Sequence, residues 1–234
     1  MRCSINDIVG DFPDTQIAFV LARNVKVSQG RSPDLASEIL KGEKQTLERY
    51  RGQELASIPE IHDWRRAYKG FGIKKTSYRS SVERLLKNLL AGRPLAEINS
   101  LVDAYNLISL LHLVPIGADD LECVEGDICF RRSREGDEFL PLASDGLLND
   151  PPKANEVVYA DSQKILCRRW NWQQDRRSPV TTASRNVVLT VQGQASADIG
   201  RATLALCSAL ERHCEAQTRY AITDHTSPVT ELRS

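Results

Sequence analysis

The sequence predicts an α+β fold, and three observations carry that reading. Apolar residues recur at helical spacing through most of the first half of the chain. Short β-prone runs separated by turns dominate from about residue 123 onward. The strand–helix–strand alternation of a parallel sheet is missing, so helices mainly in the first half should pack on a largely antiparallel sheet. No Pro/Gly/Ser-rich linker divides the 234 residues, which leads us to expect one domain with its body between about residues 5 and 225 and a loose C-terminal tail.

Taken in order, the apolar run Ile17 to Val25 reads as an early strand. Ser32 followed by Pro33 reads as the start of a helix that runs, with interruptions, toward Arg51. Ser57 and Glu60 have the spacing of a capping box and would open a helix with Ile61, Trp64 and Tyr68 on one face, closed by Gly70 and Gly72. Ser80 and Glu83 repeat that spacing. Val82, Leu85, Leu86, Leu89 and Leu90 then follow at amphipathic offsets until Gly92 and Pro94 stop them. A nearly uncharged helix from Ile98 ends near Pro115. CVEGDICFRR reads as two short strands around a Glu-Gly-Asp turn, EVVYADSQKILCRRW as a hairpin turning at Asp161 to Lys164, and Val187 to Val191 as a strand. A last helix from about Ser196 to Ala216 places Ile199, Thr203, Leu206, Leu210 and His213 on one face, and the short strand YAIT follows.

Net charge is zero, but its distribution is uneven. Nine basic residues stand against Glu83 alone between Arg65 and Arg93, and six against Asp175 between Lys164 and Arg185. Such segregation focuses a positive potential on one face and suits a polyanionic partner; two solvated loops and a helix face are the plainer alternative. The six cysteines lack metal-ligand or CxxC spacing, the four histidines are scattered, and no metal or cofactor site is expected. The N-terminal segment has no apolar signal-like run and no segment reaches the roughly 20 apolar residues of a membrane span, so a cytoplasmic protein with reduced thiols is expected. P-loop, GxGxxG, HExxH and GxSxG motifs are missing.

Three segments could carry chemistry. Asn99, Asp103 and Asn106 fall on one stripe of a helix whose other faces are apolar, and Ser109 adds a hydroxyl. Buried polar groups there need partners, either structural or a ligand, because an unpaired one costs about 1–3 kcal/mol. In EVVYAD, Glu156 and Asp161 could orient a water or bind an ammonium, or simply be hairpin charges. In KKTSYRSS, lysines, Arg79 and hydroxyls precede a helix N-terminus, as a phosphate site or a solvated loop would. Tyr68, Phe71 and Tyr78 interleave these cations in a manner suited to stacking on unpaired bases.

The segments YKGFGIKKTSYRSSVERLL, LVDAYNLISLLHLVPIGADDLE and NEVVYADSQKILCRRWNWQQ together resemble the freestanding B3/4-domain proteins, relatives of the tRNA-editing domain in the beta subunit of phenylalanyl-tRNA synthetase. The resemblance runs from about Trp64 to Val191. It implies a B3/4-type core over about residues 64–191, with N- and C-terminal α/β extensions packed on it, and an amino-acid-sized pocket that hydrolyses the ester of mischarged tRNA. By matching motif, Asn106 and Glu156 are the leading catalytic residues. Asp103, Ser109, Tyr159 and Asp161 support the substrate, with Arg79 and Ser80 at the mouth of the pocket. Lys69, Lys74, Lys75, Arg168 and Arg169 would contact tRNA, and Trp170 and Trp172 would buttress the fold.

Nothing in the chain resembles an aminoacylation core or an anticodon-binding domain. The resemblance therefore implies a trans-acting editing protein rather than a synthetase. Two other readings share the same pocket: a noncatalytic module that binds tRNA or an amino acid, and a metal-free hydrolase of small amino-acid esters or amides.

Overall fold

The computed structural model describes residues 1–73, 78–142 and 150–232. Two sheets organise them. The first has six strands in the order β10-β1-β4-β5-β6-β7: β1 (Arg2–Ser4), β4 (Ile128–Arg132), β5 (Val157–Ala160), β6 (Ile165–Arg168), β7 (Gln173–Gln174) and β10 (Val229–Glu231). Only the β1–β4 pair is parallel. The second is antiparallel throughout, in the order β3-β8-β2-β9, with β2 at Gln16–Arg23, β3 at Ile116–Asp120, β8 at Val187–Gly193 and β9 at Gln217–Thr223. The architecture is thus α+β with antiparallel pairing dominant, and the sheet expected from sequence is in fact two.

The unbroken apolar run of β2 follows from burial on both faces. Ile17, Phe19 and Leu21 join the larger core, while Ala18, Val20 and Ala22 join a second core beneath the C-terminal helix α6 (Ile199–Cys214). Helix α2 (Pro33–Tyr50) is capped by Ser32, whose side chain accepts from the Leu35 N–H, and runs without interruption. Gly42 sits within it because a Cβ there would collide with Leu107. Helix α5 (Ser100–His112) lies between the two cores, contributing Ala104, Leu107 and Leu110 to one and Leu101 and Ile108 to the other. That placement explains why it carries so little charge.

Caps and turns refine the sequence reading. Asn99 is the N-cap of α5: its side chain accepts from Val102 N–H at 2.9 Å and donates to the Val180 carbonyl at 3.2 Å. Asn99→Ala removes both bonds at a buried position and is expected to cost about 1–2 kcal/mol, read as a lower urea midpoint at unchanged slope. Ser80 caps α4 (Ser81–Leu90), but Glu83 turns to Arg65 and Arg79 instead of back to the cap. Ser57 caps nothing. Helix α3 (Pro59–Gly70) begins at Pro59 after Ile58, and Ser57 closes a 3-10 turn. The first arm of CVEGDICFRR is likewise a 3-10 turn, Leu121–Cys123, rather than a strand.

The first and last strands pair with each other. Helix α1 (Asn6–Val9) follows β1 directly, and β10 pairs with β1 through Cys3 and Thr230, so the tail is not loose. No helix among the described residues is long and apolar enough to cross a membrane.

Candidate functional site

The free edges of the two sheets meet where β3 of one faces β7 of the other. Gln174 bridges them, donating to the Ala118 carbonyl at 2.6 Å and to Asp119 Oδ1 at 2.9 Å. Beside this seam lies a cavity of about 650 Å³, within the size range of small-molecule sites. Strands β3, β5, β6 and β8 form its floor, and α4, α5 and the 93–98 loop form its walls. That loop is rigidly braced. Arg31 pairs with Asp103 at 2.7 Å and donates to the Leu95 and Ala96 carbonyls, while Glu43 accepts from Leu95 N–H and Asp103 from Ile98 N–H.

Polar groups on the floor fall into two sets. One is internally satisfied: Tyr68 donates to Asn171, Asn171 to Gln192, and Gln192 to Thr190, in a buried chain. The other is not. The Tyr159 hydroxyl and Ser81 Oγ are buried without a hydrogen-bond partner. Asn106, half-buried on the wall, has no side-chain hydrogen bond among the described residues. Asp119 is 4% exposed; its Oδ1 accepts from Ser178 at 2.7 Å and from Gln174, whereas its Oδ2 accepts no hydrogen bond from the described residues. Native interiors rarely leave such groups unpaired, and where they line a cavity they mark where a ligand supplies the partner.

Burial governs the protonation of this floor. It pushes the Asp119 carboxyl up to about 7, against the hydrogen bonds from Ser178 and Gln174 that hold it down. Burial, then the charge of Asp119, raises the Tyr159 phenol and the Cys167 thiol well above their ordinary values, so both stay protonated near neutral pH. Cys167 is therefore no thiolate nucleophile.

Of the catalytic and substrate-binding residues singled out in sequence, Asn106 and Tyr159 line the cavity, and Glu156, Asp161, Asp103, Ser109, Arg79 and Ser80 are not among its lining residues. Glu156 precedes β5 on the face opposite Tyr159, because successive strand residues alternate. There Arg168 Nε holds it at 2.8 Å, and the Arg169 and Lys153 N–H groups also donate to it. Expected to be catalytic, it stands in a buried ion pair outside the cavity lining. Asp161 stabilises the β5–β6 turn, accepting from the backbone of Glu125, Gln163 and Lys164 and pairing with Lys164 Nζ at 2.6 Å. Burial pulls its carboxyl up, but these donors outweigh burial and hold it below the usual range.

Asp103 braces the rim loop without facing the cavity, and Ser109 donates to the Val114 carbonyl at the end of α5. Arg79 is paired with Glu83, and Ser80 is buried as a cap. Arg168 and Arg169, expected to contact tRNA, are both buried. Arg168 is 1% exposed between Glu156 and Asp150. Arg169 is buried, with its guanidinium 3.8 Å from the Tyr78 ring centroid and 4.4 Å from that of Trp172. Lys69 is exposed on the last turn of α3, away from the cavity lining, while Lys74 and Lys75 lie outside the described residues. Trp170 is fully buried against Trp64, Phe12 and Phe71, as expected of a buttress, whereas Trp172 also lines the cavity.

Asp119, Thr190 and Gln192 were not singled out in sequence, and Ser81 entered only as one of the hydroxyls of KKTSYRSS. Thr190 and Gln192 did leave a signal, two polar residues at i and i+2 in an otherwise apolar strand. At the mouth, Arg84, Asn88 and Arg93 are exposed, Arg93 donates to Asn88 at 2.7 Å, and Lys87 lies one turn along α4 from Arg84. No group of three or more His, Cys, Asp or Glu residues able to hold a metal ion occurs among the described residues.

The model of the B3/4 domain family matches residues 63–226, more than two thirds of the chain. Among solved structures, an N-terminal fragment of the phenylalanyl-tRNA synthetase beta-subunit from Pyrococcus horikoshii is similar, with a TM-score of 0.48 and 13% sequence identity. The similarity covers 93% of this chain and 49% of that one, so this chain spans about half the fragment's length. No curated protein matches the sequence. On the family match, the chain belongs to the B3/4 domain family.

Proposed function

We propose that this B3/4 protein acts in trans on aminoacyl-tRNA, taking the aminoacyl group into the cavity and hydrolysing its ester. The observation that carries the reading is an amino-acid-sized cavity with unpaired polar groups inside and unpaired cations at its mouth. The cations suit the phosphates of the acceptor end and the interior suits the amino acid. An aminoacyl ester is already activated, so orienting a water against its carbonyl supplies much of the rate. In this reading Asn106 donates to the ester carbonyl as negative charge develops there, and the protonated Tyr159 and Ser81 hydroxyls hold the water. Water adds its hydroxyl to the carbonyl carbon, the ester C–O bond breaks, and the ribose oxygen leaves with the proton.

A noncatalytic binding module is the second reading. It is favoured by Cys167 and Tyr159 both being held in their protonated forms, which leaves neither as a nucleophile or base. Purified protein should be offered a panel of correctly and wrongly charged tRNAs, including tyrosyl-tRNA for phenylalanine. Selective release of one amino acid is the expected result. Retained tRNA binding with no release across the panel would replace the hydrolase by the binding module.

A further inference from the structure

The buried carboxylates among the described residues are, with two exceptions, neutralised by a cation. Asp103 faces Arg31, Glu83 faces Arg65 and Arg79, Glu156 faces Arg168, Asp161 faces Lys164, Asp175 faces Arg177, and Asp63 lies 3.5 Å from Arg66. Glu43, the first exception, is away from the cavity and accepts from the Leu95 N–H. Asp119, the second, lines the cavity, forms no ion pair with any described residue, and has one carboxylate oxygen without a hydrogen bond. In the same cavity the Tyr159 hydroxyl is buried and has no hydrogen-bond partner. A charge left unpaired at such depth is costly, and at six other buried carboxylates the chain meets that demand with its own arginines and lysines. Here the described residues supply no partner and the cavity has room for one.

We infer that Asp119 is the seat of a ligand ammonium group: its Oδ2 pairs with the free α-ammonium of the amino-acid moiety, and the Tyr159 oxygen accepts a second ammonium proton. The inference rests on the reading that the cavity takes the amino-acid end of an aminoacyl ligand. It assigns the ammonium to β3 rather than to Glu156. It also restricts ligands to those with an unblocked amine, excluding N-acylated amino acids and peptides extended at the amino end. Ser178 and Gln174 act as positioning residues, holding Oδ1 so that Oδ2 points at the ligand.

The groups that act on Asp119 are few. Lys164 lowers its carboxyl and Asp161 raises it, and Tyr105, Tyr159 and Cys167 sense its charge while staying protonated. Binding is therefore expected to weaken below about pH 7, where Asp119 takes up a proton, and again above about pH 8, where an α-amine loses one.

The test is calorimetry on the full chain with the L-amino-acid amides of the twenty standard residues and their N-acetyl amides, independent of any hydrolysis. At least one free amide should bind, and its N-acetyl counterpart and the Asp119→Asn variant should each lower its affinity by about tenfold or more. Equal binding of free and N-acetyl amides, or no binding by any amide at millimolar concentration, overturns the inference. The acetyl comparison uses the wild-type chain, so it decides the matter even where Asp119→Asn fails to fold. Amide binding that needs the free amine, in a protein that neither binds nor deacylates tRNA, keeps the ammonium seat and removes the tRNA reading. Deacylation of N-acetylaminoacyl-tRNA at the rate of the free-amine substrate does the reverse.

Discussion

Arg168→Ala is expected to destabilise the fold by about 3–5 kcal/mol, enough to lower the urea midpoint severely in a protein of ordinary stability. Arg168 is held by Glu156, by Asp150 and by the Asp150 carbonyl at 2.8 Å, and both it and Glu156 are about 98% shielded from water. Removing the guanidinium leaves the Glu156 carboxylate buried with only Arg169 Nε, 3.8 Å away, as a nearby cation. Glu156→Gln should cost less, because Arg168 keeps Asp150. The joint replacement Glu156→Leu with Arg168→Met should recover much of the loss, since neither charge is then stranded. The series also separates structure from chemistry. If Glu156 acts only as an anchor, the deacylation rate per folded molecule is unchanged in Glu156→Gln; a rate that collapses while the urea midpoint holds would return Glu156 to the catalytic machinery.

That pair shows what the sequence could and could not disclose. Helix α4 was legible because five apolar residues at helical offsets leave one solution, and the β5–β6 hairpin because two β-prone runs flank a turn. Glu156 and Arg168 stand at the open end of that hairpin, Arg168 one residue beyond the Tyr159–Cys167 pair. Counted from the turn alone, Arg168 would fall opposite Val157 on the other face; the register shift between Tyr159 and Ala160 brings it to the face of Glu156, so the pairing was hidden. Arg168 was taken instead for an exposed cation because composition does not record burial. The chain-end strands were hidden for another reason. β1 and β10 are three residues long, and each is stabilised by a partner more than 200 residues away, so no local pattern marks them. Asp119 was hidden in the same way: β3 is a five-residue strand whose IGADD carries no alternation, and its role depends on β7 meeting it across the seam.

Neutralising the rim is expected to have the other large effect. Replacing Arg84, Lys87 and Arg93 with glutamine removes three exposed cations beside the mouth. If each meets one phosphate, counterion release makes the logarithm of tRNA affinity fall by about 0.7–0.9 per contact for each decade of salt. Three lost contacts therefore make the salt slope shallower by about 2–3 and, near 0.1 M salt, weaken binding by roughly a hundredfold or more. The substitutions lie on the exposed face of α4 and the loop after it and make no ion pair among the described residues, so stability should stay within about 0.5 kcal/mol. Affinity measured by filter binding across a salt series reads both quantities at once. The free amino-acid amides sit deeper and should bind the triple variant as they bind the parent. An unchanged salt slope would place the RNA elsewhere, and unchanged turnover of a small amino-acid ester, with no loss of tRNA affinity, would leave a hydrolase that works without RNA.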